Sequence, residues 1–369
     1  MTSPLIDDWY IETLVCPRDK TELSFDGRAL VSAAGRTYPV VDGIPVMLLD
    51  DEEQTMDIAR ASIERAKGNT DIIDQRAPQL YLESLAIGEP EKVLLIDLLN
   101  DRRTELDPVV SVILKATNGN AYSHLVGDSG LRRYPIPEIG LISQAREELL
   151  DVGCSWGRWC LSAAQRGFRA VGIDPSLGAI MAARRVAKQL GLDVRYLVAD
   201  ARYLPFRDGS FDVAHSYSVI QHFAKPNAQL AIDEMGRVLG PGGCAKVQMA
   251  HTLGLRSFQH QLRRRFREPV NFEVRYWTIG EMQDVFETKI GRTRITPDCF
   301  FGLGWQWSDF SLMPTRLKPV LATSTALVAA SKFIPPLKHV ADSLLCWAQK
   351  SGGTTGDISS AETRPMRSA

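Results

Sequence analysis

The sequence has no hydrophobic run long enough to cross a membrane, no paired cysteines and no excess of charge of either sign. A bilayer span needs about 20 consecutive apolar residues. The best candidate, Val320 to Ala330, is shorter and is interrupted by threonines and a serine. Six cysteines, at 16, 154, 160, 244, 299 and 346, form neither a close pair nor a ladder. That argues against a disulfide framework and reads as reduced thiols in a cytoplasmic protein. A net charge of −1 gives no electrostatic reason to expect nucleic acid as a general partner. The opening MTSPLIDDWY is acidic and lacks the basic-then-apolar order of a secretion signal. The 369 residues, 44% hydrophobic and 24% charged, are ordinary for a soluble globular chain of one large or two modest domains.

Five regions follow along the chain. Residues 1–50 hold short strand-like runs and the turn dipeptides Asp26-Gly27 and Asp42-Gly43, a small β module. Residues 51–148 are mostly helical by pattern, with apolar residues spaced three to four apart, until Pro135 and Pro137 break the pattern. Residues 149–250 alternate strand and helix. Strands are expected at 149–152, 169–174, 194–200, 211–216 and 244–249, with helices near 156–166, 176–190 and 228–239. Short links between alternating elements imply a Rossmann-like α/β fold, a parallel sheet with helices on both faces. Residues 251–350 mix basic, aromatic and proline-rich pieces and read as a cap or substrate region completing the fold. The tail 351–369 is poor in apolar residues and reads as disordered.

The most informative stretch is LDVGCSWG, residues 150–157. An apolar strand ends in Asp151 and Val152, and Gly153 and Gly157 open the turn into a helix. Glycines there let a ligand lie against bare backbone. Asp174 closes VGID and Asp200 closes YLVAD, so three carboxylates end successive strands. In an open α/β sheet, ligands sit beyond the carboxyl ends of the strands. Asp174 is placed to accept from a ribose diol and Asp200 from an exocyclic adenine amine, with the Ala201 N–H facing a ring nitrogen. Asp151 can hold loop N–H groups, or an ammonium through water. A dinucleotide needs G-x-G-x-x-G and a pyrophosphate at the helix N-terminus. An acidic residue directly upstream repels a pyrophosphate and suits S-adenosyl-L-methionine, a sulfonium bearing an amino acid.

Residues 149–250 resemble the class I S-adenosylmethionine-dependent methyltransferases. LDVGCSWG resembles their first motif, VGIDPS the second and VADARYLPF the third; FDVAHSYSVIQHF and RVLGPGG resemble their fourth strand and the turn before the fifth. Ser155 takes the place of the family's middle glycine. LPF and SVIQHF are similar to the branch that methylates small molecules. The resemblance implies methyl transfer to a small acceptor, with Asp151, Gly153, Ser155, Gly157, Asp174, Pro175, Asp200, Ala201 and Ser218 at the cofactor.

His222, just after strand four with Tyr217, Ser218 and Gln221, is the candidate general base; the alternative is a structural or site-walling role. His215 lies inside the strand and reads as core, and His124, His251, His260 and His339 have no assigned partners. Residues 12–49 resemble a zinc-ribbon-like methyltransferase-activator domain, through LVCPRDKTEL and GRTYPVVDGIPVMLL. Only Cys16 remains of two C-x-x-C pairs, and Asp19, Ser32, Ala33 and Ala34 stand at the other ligand positions. No zinc is expected. Val15, Leu23, Val40, Ile44, Val46 and Leu48 are expected to hold this module, which docks on the catalytic domain or, as the alternative, recruits another protein. Arg263, Arg264, Arg265 and Arg267 suggest an anionic substrate, an acidic membrane surface or a solvated helix face with internal ion pairs. Tyr276, Trp277, Phe300, Phe301, Trp305, Trp307 and Phe310 suit either an apolar pocket or cap core. Two rival functions stay open: a non-catalytic methyltransferase-like binding protein, and an RNA methyltransferase. The N/D-P-P-[Y/F] signature that would favour the latter is absent.

Overall fold

Both Asp-Gly dipeptides make turns, because Gly27 and Gly43 take left-handed φ of 99° and 77°. The structure, a computed structural model, describes residues 6–68, 79–101, 106–122, 133–143, 145–302 and 304–352. His124 and residues 353–369 of the tail lie outside these. After α1 (Asp8–Thr13), the turns link β1 (Leu23–Phe25), β2 (Ala29–Ser32), β3 (Thr37–Val41) and β4 (Ile44–Pro45) into an antiparallel sheet in sequence order. Val15, Leu23, Val40, Ile44, Val46 and Leu48 are all buried. Cys16 Sγ lies 3.1 Å from the Tyr38 hydroxyl, and Asp19 accepts from the N–H and hydroxyl of Thr21.

Helices α2 (Asp57–Ala66), α3 (Glu89–Asp101) and α4 (Pro108–Tyr122) follow. The main sheet then begins with β5 (Glu148–Val152), α5 (Arg158–Gln165), β6 (Arg169–Asp174), α6 (Leu177–Gln189), β7 (Val194–Val198), β8 (Phe211–Ser216), α7 (Lys225–Val238) and β9 (Leu239–Ala250). Strand β9 absorbs the Gly-Pro-Gly-Gly turn expected to precede it. Beyond it come α8 (Leu255–Arg263), α9 (Ile279–Lys289), β10 (Gly291–Cys299), α10 (Lys318–Ser331) and β11 (Ser343–Lys350). The sheet order is β10-β11-β9-β8-β5-β6-β7. Strands β5 to β9 pair in parallel, and β11 runs antiparallel to both β9 and β10. The region read as a cap therefore supplies two strands of the main sheet. Arg292, Arg294 and Pro297 in β10 mask its strand character, and only the pairing with β11 reveals it.

From β5 the chain steps outward to β6 and β7, then returns to the other side of β5 at β8. This reversal places a crevice at the carboxyl ends of β5 and β8. Helices cover both faces, each over its own apolar cluster. No helix among the described residues is long and apolar enough to cross a membrane.

The front module covers the outer edge of β7, which would otherwise present unpaired backbone. Met47 N–H donates to Val198 O at 2.7 Å. The buried Tyr10 hydroxyl donates to Tyr196 O at 2.8 Å and accepts from Tyr196 N–H at 3.1 Å. Tyr10→Phe leaves both groups unsatisfied, and urea unfolding is expected to show a loss of about 1–3 kcal/mol. Unchanged stability would mean that this contact does not seal the edge.

Candidate functional site

Between β5 and α5 the chain passes through three left-handed residues: Gly153 (φ 79°), Ser155 (φ 49°) and Gly157 (φ 82°). A Cβ built on Gly157 would stand 2.4 Å from the Tyr196 hydroxyl, so the second glycine is forced by packing beneath the bend. At Gly153 the obstruction is Val219 Cγ2, also at 2.4 Å, on the crevice side. Ser155 adopts the left-handed angle despite its Cβ, at a cost of about 1–2 kcal/mol. Its N–H is pinned by Asp174 Oδ2 at 3.0 Å.

Asp174 is the centre of the site. Its other oxygen accepts from Ser176 N–H at 2.9 Å, and the Ser176 side chain caps α6 by accepting from Ala179 N–H. Burial pushes the carboxyl up to about 6, against the lowering effect of these two N–H donors. Sequence reasoning missed the residues that hold this corner from behind. Ser62 Oγ donates to Pro175 O and accepts from Leu177 N–H, and Ser84 Oγ accepts from Gly178 N–H. Both serines come from the helical linker. Seryl groups in a helical stretch carry no local signal of a partner 90 or more residues away.

The other two carboxylates are engaged within the protein. Asp151 is fully buried; its Oδ1 lies 2.8 Å from His215 Nδ1, and Cys160 Sγ donates to Oδ2. Its side chain lies between His215 of β8 and Cys160 of α5. The register explains this, since Asp151 pairs directly with His215 across β5 and β8. Asp200 accepts from the side chain of buried Arg202, at 2.7 Å for the shortest contact, and from its N–H at 2.8 Å. Arg202 in turn donates to Glu53 O, tying this corner to the front of the chain. The adjacent Ala201 N–H has no hydrogen-bond partner among the described residues, although Ala201 is buried.

On the far wall, Ser218 is again left-handed (φ 62°), and its hydroxyl accepts from Gln221 Nε2 at 2.9 Å. Gln221 Oε1 is buried without a partner. His222 stacks on Phe272 at 3.8 Å, and its Nδ1–H donates to Phe272 O at 2.7 Å. Burial pushes its imidazole down to about 4, so it is neutral at pH 7. Tyr217 donates to Asp298 Oδ2, as does Ser343, and accepts from Gln306 Nε2. Trp159 packs on both Tyr217 and His215. His215 is buried, as expected of a core residue, and His251 donates to Ala341 O. Tyr276, Trp277 and Phe300 are buried, whereas Trp307 is half exposed. Asp174, Pro175, Ala201, Gly153, Ser155 and Gly157 therefore gather at one corner of the crevice, with Ser218 and His222 across it.

A family model described as a methyltransferase domain matches residues 149–243. The sheet around that match has the Rossmann-like α/β order described above. A demethylmenaquinone methyltransferase of Thermus thermophilus is 38% identical over 104 residues, 28% of this chain and 46% of that protein. A norajmaline N-methyltransferase of Rauvolfia serpentina is 36% identical over 103 residues, 27% of this chain and 35% of that protein. The match thus spans less than half the length of either relative. Among solved structures, an S-adenosylmethionine-dependent methyltransferase of Methanosarcina mazei aligns at 20% identity and a TM-score of 0.41, covering 57% of this chain and 94% of that one.

A methyltransferase domain of the kind matched at residues 149–243 takes S-adenosylmethionine, and the corner at Asp174 would suit it on two counts. Asp174 offers a desolvated carboxylate for a diol, and the orphaned Ala201 N–H suits a ring nitrogen. Val219 over Gly153 and Arg202 on Asp200 are the two groups that a bound nucleoside would have to displace or accommodate.

The raised carboxyl gives a signed prediction. Folded Asp174 titrates near 6, above its unfolded value of 3.8, so its ionisation costs folding stability as pH rises from about 4 to 6. A diol that donates to the anion reverses that cost. Calorimetric affinity for S-adenosylhomocysteine is expected to fall about tenfold per pH unit below 6 and to level off above it. Asp174→Asn is expected to weaken binding about tenfold or more and to flatten the profile. A profile equally steep in the variant would place the titrating group elsewhere.

Proposed function

We propose that this chain is a methyltransferase that moves a methyl group from S-adenosylmethionine to a small-molecule acceptor. The observation that carries the reading is the corner where Asp174 pins the left-handed bend beside the free Ala201 N–H. In this reading Asp174 holds the ribose hydroxyls, Ala201 donates to the adenine ring, and Gly153, Ser155 and Gly157 let the nucleoside approach the backbone. Pro175 flanks the base. Asp200, already neutralised by Arg202, orders the loop and shares its outer oxygen with an amine. Gln221 Oε1 and Ser218 offer acceptors for an ammonium across the crevice.

When bound, the cofactor supplies a methyl group on a sulfonium, which leaves as a neutral thioether. The protein's own task is then alignment and exclusion of water. His222 Nε2 keeps its lone pair, because Nδ1–H is committed to Phe272 O. A base whose conjugate acid titrates near 4 cannot ionise an alcohol in advance. It can take a proton that becomes acidic as attack proceeds, as on an amine nitrogen. The names of the relatives point to small acceptors.

Mass-shift screening of metabolite extracts with isotopically labelled cofactor tests the reading. A labelled product is expected with the native chain and not with Asp174→Ala. His222→Gln is expected to lower kcat with little change in KM if the ring takes a proton, and to leave both unchanged if it only walls the site. A second reading, a binding protein without turnover, is favoured by Val219 and Arg202 standing where a nucleoside would press. Tight cofactor binding with no labelled product from any extract would select it.

A further inference from the structure

Helix α8 and the turn after it carry an apolar stripe that the rest of the molecule does not cover. Leu255, Phe258, Leu262 and Phe266 are each 46–57% exposed and fall on one side at helical spacing. Phe266 is held outward by two successive left-handed residues, Arg265 (φ 53°) and Phe266 itself (φ 55°), and its ring meets Phe258 at 5.9 Å. Such backbone costs free energy at each residue and persists only where the surroundings impose it.

Helix α10 lies across a groove from α8. Leu255, Arg256 and Gln259 line one bank and Pro319, Val320 and Thr323 the other, around about 520 Å³. The turn that closes α10 exposes Phe333 (87%) and Ile334 (52%).

The charge on these two segments is one-sided. Residues 251–267 contain five arginines and no acidic residue, and residues 310–341 contain Arg316, Lys318, Lys332 and Lys338 with none either. The whole chain has a net charge of −1, so this basicity is local. Two of the arginines meet an acid, Arg264 and Arg267 approaching Glu273, and Arg256 donates to Phe301 O. Arg263 and Arg265 are exposed and have no ion-pair partner among the described residues. A solvated helix face with internal ion pairs accounts for the first two and leaves the second two, and the apolar stripe, unexplained.

We propose that the surface formed by α8, its following turn and α10 docks on an anionic lipid bilayer. The exposed leucines and phenylalanines enter the headgroup–acyl boundary, and Arg263, Arg265 and the lysines meet lipid phosphates. Apolar side chains flanked by guanidinium groups match the layering of such a surface, in which an apolar depth lies under a shell of negative charge. The docking does not depend on methyl transfer.

Vesicle sedimentation of the full chain tests the proposal. The protein is expected to pellet with vesicles of equal parts phosphatidylcholine and phosphatidylglycerol, and to stay in the supernatant with phosphatidylcholine alone. Raising the salt concentration is expected to release it. Arg263→Ser with Arg265→Ser is expected to weaken partitioning about thirtyfold. Phe258→Glu with Leu262→Glu is expected to abolish it. Because all four side chains are exposed, circular-dichroism melting of both variants is expected to match the native chain. Binding that is equal on the two vesicle types, equal in the variants or absent overturns the proposal. A dimer that Phe258→Glu with Leu262→Glu splits, with no vesicle binding, would assign the face to a second copy of the chain.

Discussion

The candidate corner depends on one half-buried carboxylate. Asp174 ends β6, pins the bend after β5 through Ser155 N–H, and starts the turn into α6 through Ser176 N–H. Two strand ends and one helix cap thereby share a single anion. Two N–H donors do not make up for the water that the carboxylate gives up, and burial leaves it with a raised proton affinity. A desolvated carboxylate with spare acceptor capacity can accept from further donors. In the proposed reading, that cost is what a ribose diol would relieve.

Segments outside the methyltransferase core hold that corner in place. Ser62 and Ser84 fasten the turn between β6 and α6, and Tyr81 and Leu85 fill the space above Gly178, where a Cβ would clash with them. Arg202 joins Asp200 to Glu53 O, and Tyr10 closes the β7 edge. Residues 53, 62 and 84 therefore bear on the Asp200 side of the corner through Arg202 and on the Asp174 side through the two serines.

The sequence made the α/β core legible because each strand there is an apolar run closed by an acidic residue or a turn. It also showed which residues form the bend, since only small residues fit above Tyr196 and beside Val219. Three features were beyond its reach. Strand β10 is too polar to read as a strand until β11 pairs with it. Asp151 finds His215 only through the register of β5 on β8, a contact that depends on topology. Asp200 is met by Arg202, a residue only two positions away whose side chain could as well have pointed to solvent; Glu53 O draws it inward. The basic run after β9 was visible, but its division into Arg264 and Arg267 facing Glu273 and Arg263 and Arg265 facing outward comes from the fold.

The central claim is that the bend after β5 and the carboxylate of Asp174 form the seat of the nucleoside. A crystal structure of the full chain grown with S-adenosylhomocysteine tests it most directly. The account predicts both ribose hydroxyls within hydrogen-bond distance of Asp174, a ring nitrogen on the Ala201 N–H, and Val219 moved off Gly153. A ligand bound elsewhere, or Asp174 still bonded only to Ser155 and Ser176 beneath a bound ligand, would contradict it.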